Sequence, residues 1–230
     1  MGSSEDILKK IKKELKIGSS ADLLKKVRGE LKPLSDQIIN HPFIEQASSG
    51  TLPRSKIKRF AEQQYYIVSN DARSLALMLS RARGDKELEL FSSFLKADLD
   101  ALPKLVKMAD GLDIPTSQIE DVGPIVEAVA YSHYLAFLAS SGNCGENAFA
   151  LIANIPVWGK NCKSLASSLN KNYGLKEVSF LEAFSFFPKE LEDLALEVIQ
   201  EYLPSGEHRM RRAASVIQRY ELMFWDAIYI

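Results

Sequence analysis

The sequence predicts an all-α fold, a single bundle of amphipathic helices. Two observations carry that expectation. Apolar residues recur at three- and four-residue spacing in segment after segment, and no run of alternating apolar and polar residues is bounded by strand-type turns. A third sets the size: 230 residues with 46% hydrophobic content can bury one sizeable core, and no linker splits the chain into halves.

The chain opens with an internal echo of period sixteen, in which GSSEDILKKIKKELK from Gly2 is followed by GSSADLLKKVRGELK from Gly18. Each copy starts with a cap-competent serine ahead of an acidic first turn. Apolar stripes follow, Ile7, Leu8, Ile11 and Leu15 in one copy and Leu23, Leu24, Val27 and Leu31 in the other. Two short amphipathic helices joined at Gly18 are expected. Residues 1–33 carry nine Lys/Arg against five Asp/Glu, a net +4 that leaves −5 for the rest of a chain whose total is −1. Such an arm either docks its apolar stripe on the body with its lysines in water or serves self-association or a partner. The expected division is an arm over 1–33 and a helical domain over 34–230.

Beyond Pro33 a helix is expected from Leu34 through Ala47, ended by Ser48, Ser49 and Gly50. The next runs from Arg54 to Arg83, opening after Pro53 and closing at Gly84. Asp85 to Ala109 should be helical with a break near Pro103, and Gly111 to Pro115 a loop. Pro124–Ser140, Asn143–Tyr173, Ser179–Tyr202 and Ser205–Tyr229 complete the set. Pro156 should bend the second of these four, because a mid-helix proline removes a hydrogen bond and crowds the preceding turn.

Composition narrows the function. A pI near 6.3 gives no basic field for nucleic acid or an anionic membrane. The most apolar long stretch, Ile125 to Ala139, contains Glu127 and His133 and is too short to span a bilayer. The first residues form no secretory h-region, and Cys144 and Cys162 make no disulfide framework, so a cytoplasmic protein is expected. With three histidines and no Glu-x-x-His pair, neither a di-iron set nor any other metal site assembles in its usual form, and no phosphate loop appears. No cofactor is expected.

In a bundle, sites are built by polar side chains pointing inward, so polar residues on apolar stripes are the candidates. In the last helix Met210, Ala213, Ile217, Phe224 and Ile228 form a stripe that Glu221 interrupts. A carboxylate there is either a general acid or base in a closed pocket, or a structural ion pair with an arginine such as Arg73. In the long helix Gln64 and Asp71 interrupt the stripe Ile57, Phe60, Ala61, Val68, Leu75 and Met78, and Tyr65 and Tyr66 follow Gln64. Gln64 reads either as a site residue or as a buried amide bonding a neighbouring helix. Asn154 lies two residues before Pro156, with Trp158 one turn on.

These residues also resemble a family. His41-Pro42-Phe43, Gly50-Thr51-Leu52-Pro53 and Gln63-Gln64-Tyr65-Tyr66 look like the opening of TenA proteins. Tyr131-Ser132-His133 with Ser141-Gly142-Asn143 and Glu146 is similar to the family's central helix pair, and Tyr220-Glu221 with Phe224-Trp225-Asp226-Ala227 and Tyr229 to its last helix. The resemblance to the TenA/PqqC group spans Leu34 to Ile230. It implies a heme-oxygenase-like helical fold without heme, a homo-oligomer, dimer or tetramer, and a pocket for a pyrimidine or other flat heterocycle. For TenA it implies hydrolysis of thiamine or an aminomethyl-pyrimidine, with a cysteine nucleophile, a glutamate moving protons and an aspartate binding the ring. Glu221 matches the glutamate, Tyr131 a pocket tyrosine, and Trp158 a position usually held by tyrosine. The nucleophile position falls on Asn154 and the aspartate position on Gln64. Cys162 lies eight residues beyond Asn154, roughly 12 Å along a helix. The resemblance leaves open a hydrolase without the thiolate, a PqqC-like cofactor-free oxidase, and a binding or regulatory protein without turnover.

Overall fold

Residues 18–230 are described by the computed structural model, and among them every regular element is a helix. The first copy of the echo lies outside the described residues. The second copy is α1 (Ser20–Glu30), capped by Ser19, whose hydroxyl accepts from the Asp22 N–H. Leu23, Leu24 and Val27 are buried in the same cluster as residues of the body. The helix α2 (Lys32–Ile39) begins one residue later, with Pro33 in its first turn, where a missing N–H costs nothing.

The single helix expected from Leu34 to Ala47 is two, α2 and α3 (Pro42–Ser49). His41 between them is extended, and its Nδ1 accepts from the Phe43 N–H at 3.2 Å, so a histidine caps α3. Its Nε2 lies 3.1 Å from Asp226 on the last helix. Gly50 closes α3 at φ 75, in the left-handed region glycine enters without strain. The long α4 (Arg54–Ser80) follows as expected.

Prolines were the least reliable punctuation. The break expected near Pro103 is absent, and α5 runs from Asp85 to Asp110. A second helix expected to start at Ser205 is continuous with the one before it, and α10 runs 41 residues, Lys189–Tyr229, through Pro204. Apolar residues buried on both sides, Ala101 with Leu105 and Leu203 with Met210, hold the flanking turns in line against the loss of one bond. Conversely, the helix expected from Ser179 to Tyr202 stops early. The short α9 (Ser179–Phe184) ends where Ser185 Oγ donates to the Glu182 carbonyl, and Pro188 disfavours helix at the residue before it. A connector, Ser185 to Pro188, separates α9 from α10. Between α5 and α7 (Val126–Ser141) lies a short α6 (Thr116–Glu120).

The helix α8 (Cys144–Tyr173) contains Pro156. The carbonyl that its missing N–H would have bonded belongs to Ile152, and there Arg28 Nη2, reaching from α1, donates at 2.7 Å. The same nitrogen pairs with Glu192 of α10 at 2.6 Å. Three helices therefore meet at the proline.

The helices α8 and α10 pack along each other, while α4 lies against α5 and α7. A Cβ on Gly145 would fall 2.5 Å from Tyr202 Cβ, so glycine lets α8 approach α10. No helix among the described residues is long and apolar enough to cross a membrane.

Candidate active site

Between these layers lies a cavity of about 810 Å³. The i, i+3, i+4, i+7 face of α4 points Gln64, Ile67, Val68 and Asp71 into it, which is why two polar residues fall on an apolar stripe. The helix α7 contributes Tyr131 and Leu135, α8 Asn154 and Trp158, and α10 Glu221 and Phe224. Phe94 of α5, Phe184 of α9 and Phe186 and Phe187 of the connector add aromatic wall. Phe187 stacks on Phe94 with centroids 6.2 Å apart, whereas Phe186 is 74% exposed.

The carboxyl of Glu221 is buried. Its Oε2 accepts from Asn154 Nδ2, which also donates to Gln218 Oε1 at 3.2 Å, and its Oε1 lies 3.4 Å from Trp225 Nε1. Burial outweighs these donors and lifts its pKa to about 8. Arg73 does not neutralise it: that side chain is exposed and donates to Asn70. The ion-pair reading of Glu221 is thereby corrected, and its charge is governed by burial and by neutral donors.

Trp158 stacks on Phe60 with centroids 6.2 Å apart and meets Phe224 edge-on, giving the Glu221 end of the cavity flat apolar faces. Tyr131, half-buried on the cavity wall, has its phenol pushed well up first by burial and then by Asp71, Glu221 and Asp98. Asp71 accepts from Ser132 Oγ, and burial lifts its carboxyl to about 7.

Of the residues singled out in the sequence, Glu221, Gln64, Asp71, Tyr131, Asn154 and Trp158 thus line one cavity. Tyr65 does not. It is turned roughly 100° around α4 from Gln64 and packs on the outer side of the core. Asp98 and Ser132 were missed. The amide that bridges helices is Gln63, which bonds Gly123 and Ile125, and Gln64 has no hydrogen-bond partner among the described residues. The two thiols stand apart from the cavity: burial pushes Cys162 well up, and burial beside Glu87 raises Cys144 to about 12. Neither supplies a thiolate at neutral pH. No cluster of three or more potential metal ligands occurs among the described residues.

The sequence model of the TENA/THI-4/PQQC family matches residues 28–230. The chain belongs to this family. Among curated relatives, the aminopyrimidine aminohydrolase of Halalkalibacterium halodurans is 24% identical over 209 residues, which cover 86% of this chain and 91% of that protein. A TenA homologue from P. horikoshii OT3 superposes with a TM-score of 0.74 at 24% identity, covering 90% of this chain and 98% of its own. A domain of unknown function with a heme oxygenase-like fold, from Shewanella denitrificans, gives 0.76 at 14% identity, covering 90% and 91%. The fold is therefore the heme-oxygenase-like bundle. In this member of the TENA/THI-4/PQQC family, the position that the resemblance gives to a nucleophile is an amide, Asn154, bonded to the buried acid.

Proposed function

We propose that the protein is a TenA-like hydrolase of an amino-substituted pyrimidine or a related flat heterocycle, working without a covalent thiolate. The observation that carries this reading is the Glu221 carboxyl, buried at the end of an aromatic cavity with a pKa near 8 and held by Asn154. Such an acid is poised to exchange a proton close to neutral pH. In the reaction, Glu221 in its ionised form takes a proton from water as the water oxygen bonds to the carbon bearing the leaving nitrogen. The C–N bond breaks, and Glu221 returns that proton to the departing nitrogen. Trp158 and Phe224 hold the ring by its faces, and Gln64 offers a donor and an acceptor to ring nitrogens.

The family relationship and the aminopyrimidine aminohydrolase name of the Halalkalibacterium relative support the substrate class. Two free thiols support a cytoplasmic setting, and exposed Leu77, Val126 and Phe137 on α4 and α7 support a homo-oligomer. The test is incubation with thiamine and with aminomethyl-aminopyrimidine. Wild type should release product from one of them, and Glu221→Gln should lower kcat by about a hundredfold or more with KM little changed. Binding without product in wild type would make this a ligand-binding member, and absence of binding would remove the pyrimidine assignment.

A further inference from the structure

The cavity holds more acid than the proposed reaction uses. Among the described residues, six that line it are carboxylic acids: Asp71 and Glu221 buried, Asp98 half-buried, and Glu89, Glu182 and Glu190 where it meets solvent. Among the described residues no lysine, arginine or histidine lines it. A phosphate or carboxylate group on a ligand would find no cation to meet it, and a positive group would find several partners.

Two of these acids stand apart from Glu221. Asp71, 7% exposed, receives one hydrogen bond, from Ser132 to Oδ1, which leaves its other oxygen without a partner among the described residues. Asp98, one helix away on α5, makes no hydrogen bond among them, and it is near enough to Asp71 for that charge to hinder its own ionisation. Two turns before Asp71 on the same face of α4, Gln64 is 4% exposed and its amide has no partner among the described residues, open to the same cavity. Buried polar groups normally find partners within the protein. Here Gln64, Asp71 and Asp98 keep open hydrogen-bonding capacity toward one space. The space is also large: about 810 Å³ suits a drug-sized molecule, and a single heterocycle at the Glu221 end would leave much of it empty.

We propose that Asp71 and Asp98 form a second subsite that takes a positively charged nitrogen of the ligand, an ammonium or a cationic ring, while the ligand's flat ring lies between Trp158 and Glu221. This rests on the reading of the cavity as the ligand site, but not on which ring it takes or whether it is hydrolysed. The ligand is then a two-part molecule, a planar ring with a cationic substituent. Asp71 supplies the oxygen not used by Ser132, Asp98 supplies a carboxyl that makes no hydrogen bond among the described residues, and the exposed glutamates at the mouth attract the cation on approach. Tyr131, which lines the same cavity, is within electrostatic reach of Asp71, Asp98 and Glu221.

The test uses two probes of nearly equal shape, phenethylammonium and phenethyl alcohol, titrated into the full-length protein. Binding is read from the fluorescence of its two tryptophans, Trp158 at the cavity and Trp225 beside Glu221. Wild type should prefer the cation by on the order of tenfold, as charge-assisted hydrogen bonds do. Asp71→Asn/Asp98→Asn should abolish that preference while binding the alcohol as before. Asp98→Asn alone, which removes no hydrogen bond among the described residues, should weaken it and guards against misfolding of the double variant. Glu221→Gln should keep it. An equal preference in wild type and in both aspartate variants, or no binding of either probe to wild type, would overturn the subsite. Failure of the pyrimidines alone would overturn the proposed reaction and leave the subsite standing.

Discussion

Glu221 shows how one side chain couples chemistry to stability. Its carboxyl sits at about 8 in the folded protein, against an ordinary 4.5 when exposed. The native state therefore keeps a proton that the unfolded chain releases, and stability declines as pH climbs from about 4.5 to about 8, then levels. Asp71, raised to about 7, adds to the decline over a narrower window. Glu221→Gln should raise the thermal midpoint relative to wild type by about 4 °C or more at pH about 9 and by much less at pH about 5, in melts monitored by circular dichroism. A difference that does not depend on pH would mean that the carboxyl is not held neutral by burial. Glu221 was legible in the sequence because it breaks a stripe of spacing three and four, Met210 to Ile228, all of which is buried. Asp98 was not. It stands in Lys96-Ala97-Asp98-Leu99-Asp100, a run that reads as a solvated face, and it borders a cavity whose walls include α9, which packs against α5 from more than eighty residues later in the chain. A contact that distant leaves no local trace.

Among elements, the sequence located helices better than their ends. Period and apolar content determine whether a segment is helical, but where it stops depends on what its flanks bury. Pro103 and Pro204 stay inside helices because apolar residues on either side are buried, whereas Asn40 and His41 interrupt an apolar run because His41 finds a partner in Asp226 and a capping bond to Phe43. The pairing of α8 with α10 depends on a residue too small to draw notice. Gly145→Ala would place a Cβ 2.5 Å from Tyr202 Cβ and 2.8 Å from Met210 Cε, forcing the helices apart. We expect a loss of about 1–3 kcal/mol in urea denaturation. Probe binding should change little, because neither Tyr202 nor Met210 lines the cavity. A second glycine acts nearer the mouth: a Cβ on Gly159 would meet the Phe184 carbonyl at 2.8 Å, so the end of α9 and the connector are set against α8 at that point.

For the whole molecule, the arm and the cavity are joined through Arg28. A buried carbonyl without a partner is costly, and Pro156 creates one at Ile152, two residues before Asn154. Arg28→Ala should destabilise the protein by about 1–3 kcal/mol, leaving both Ile152 O and the part-buried Glu192 without the guanidinium. Hydrogen exchange should rise in α1 and in the turn around Asn154 together; a rise confined to α1 would separate the arm from the site. The consequence reaches back to the duplicated opening. The echo repeats its leucines and lysines almost letter for letter, yet where the second copy has Arg28 the first has Lys12. A guanidinium spreads its donors over a planar fork and a lysine concentrates them at one ammonium. Of two nearly identical passages of sequence, only the second carries the group that closes the gap left by Pro156, so the copies are not interchangeable and the chain has a built-in register.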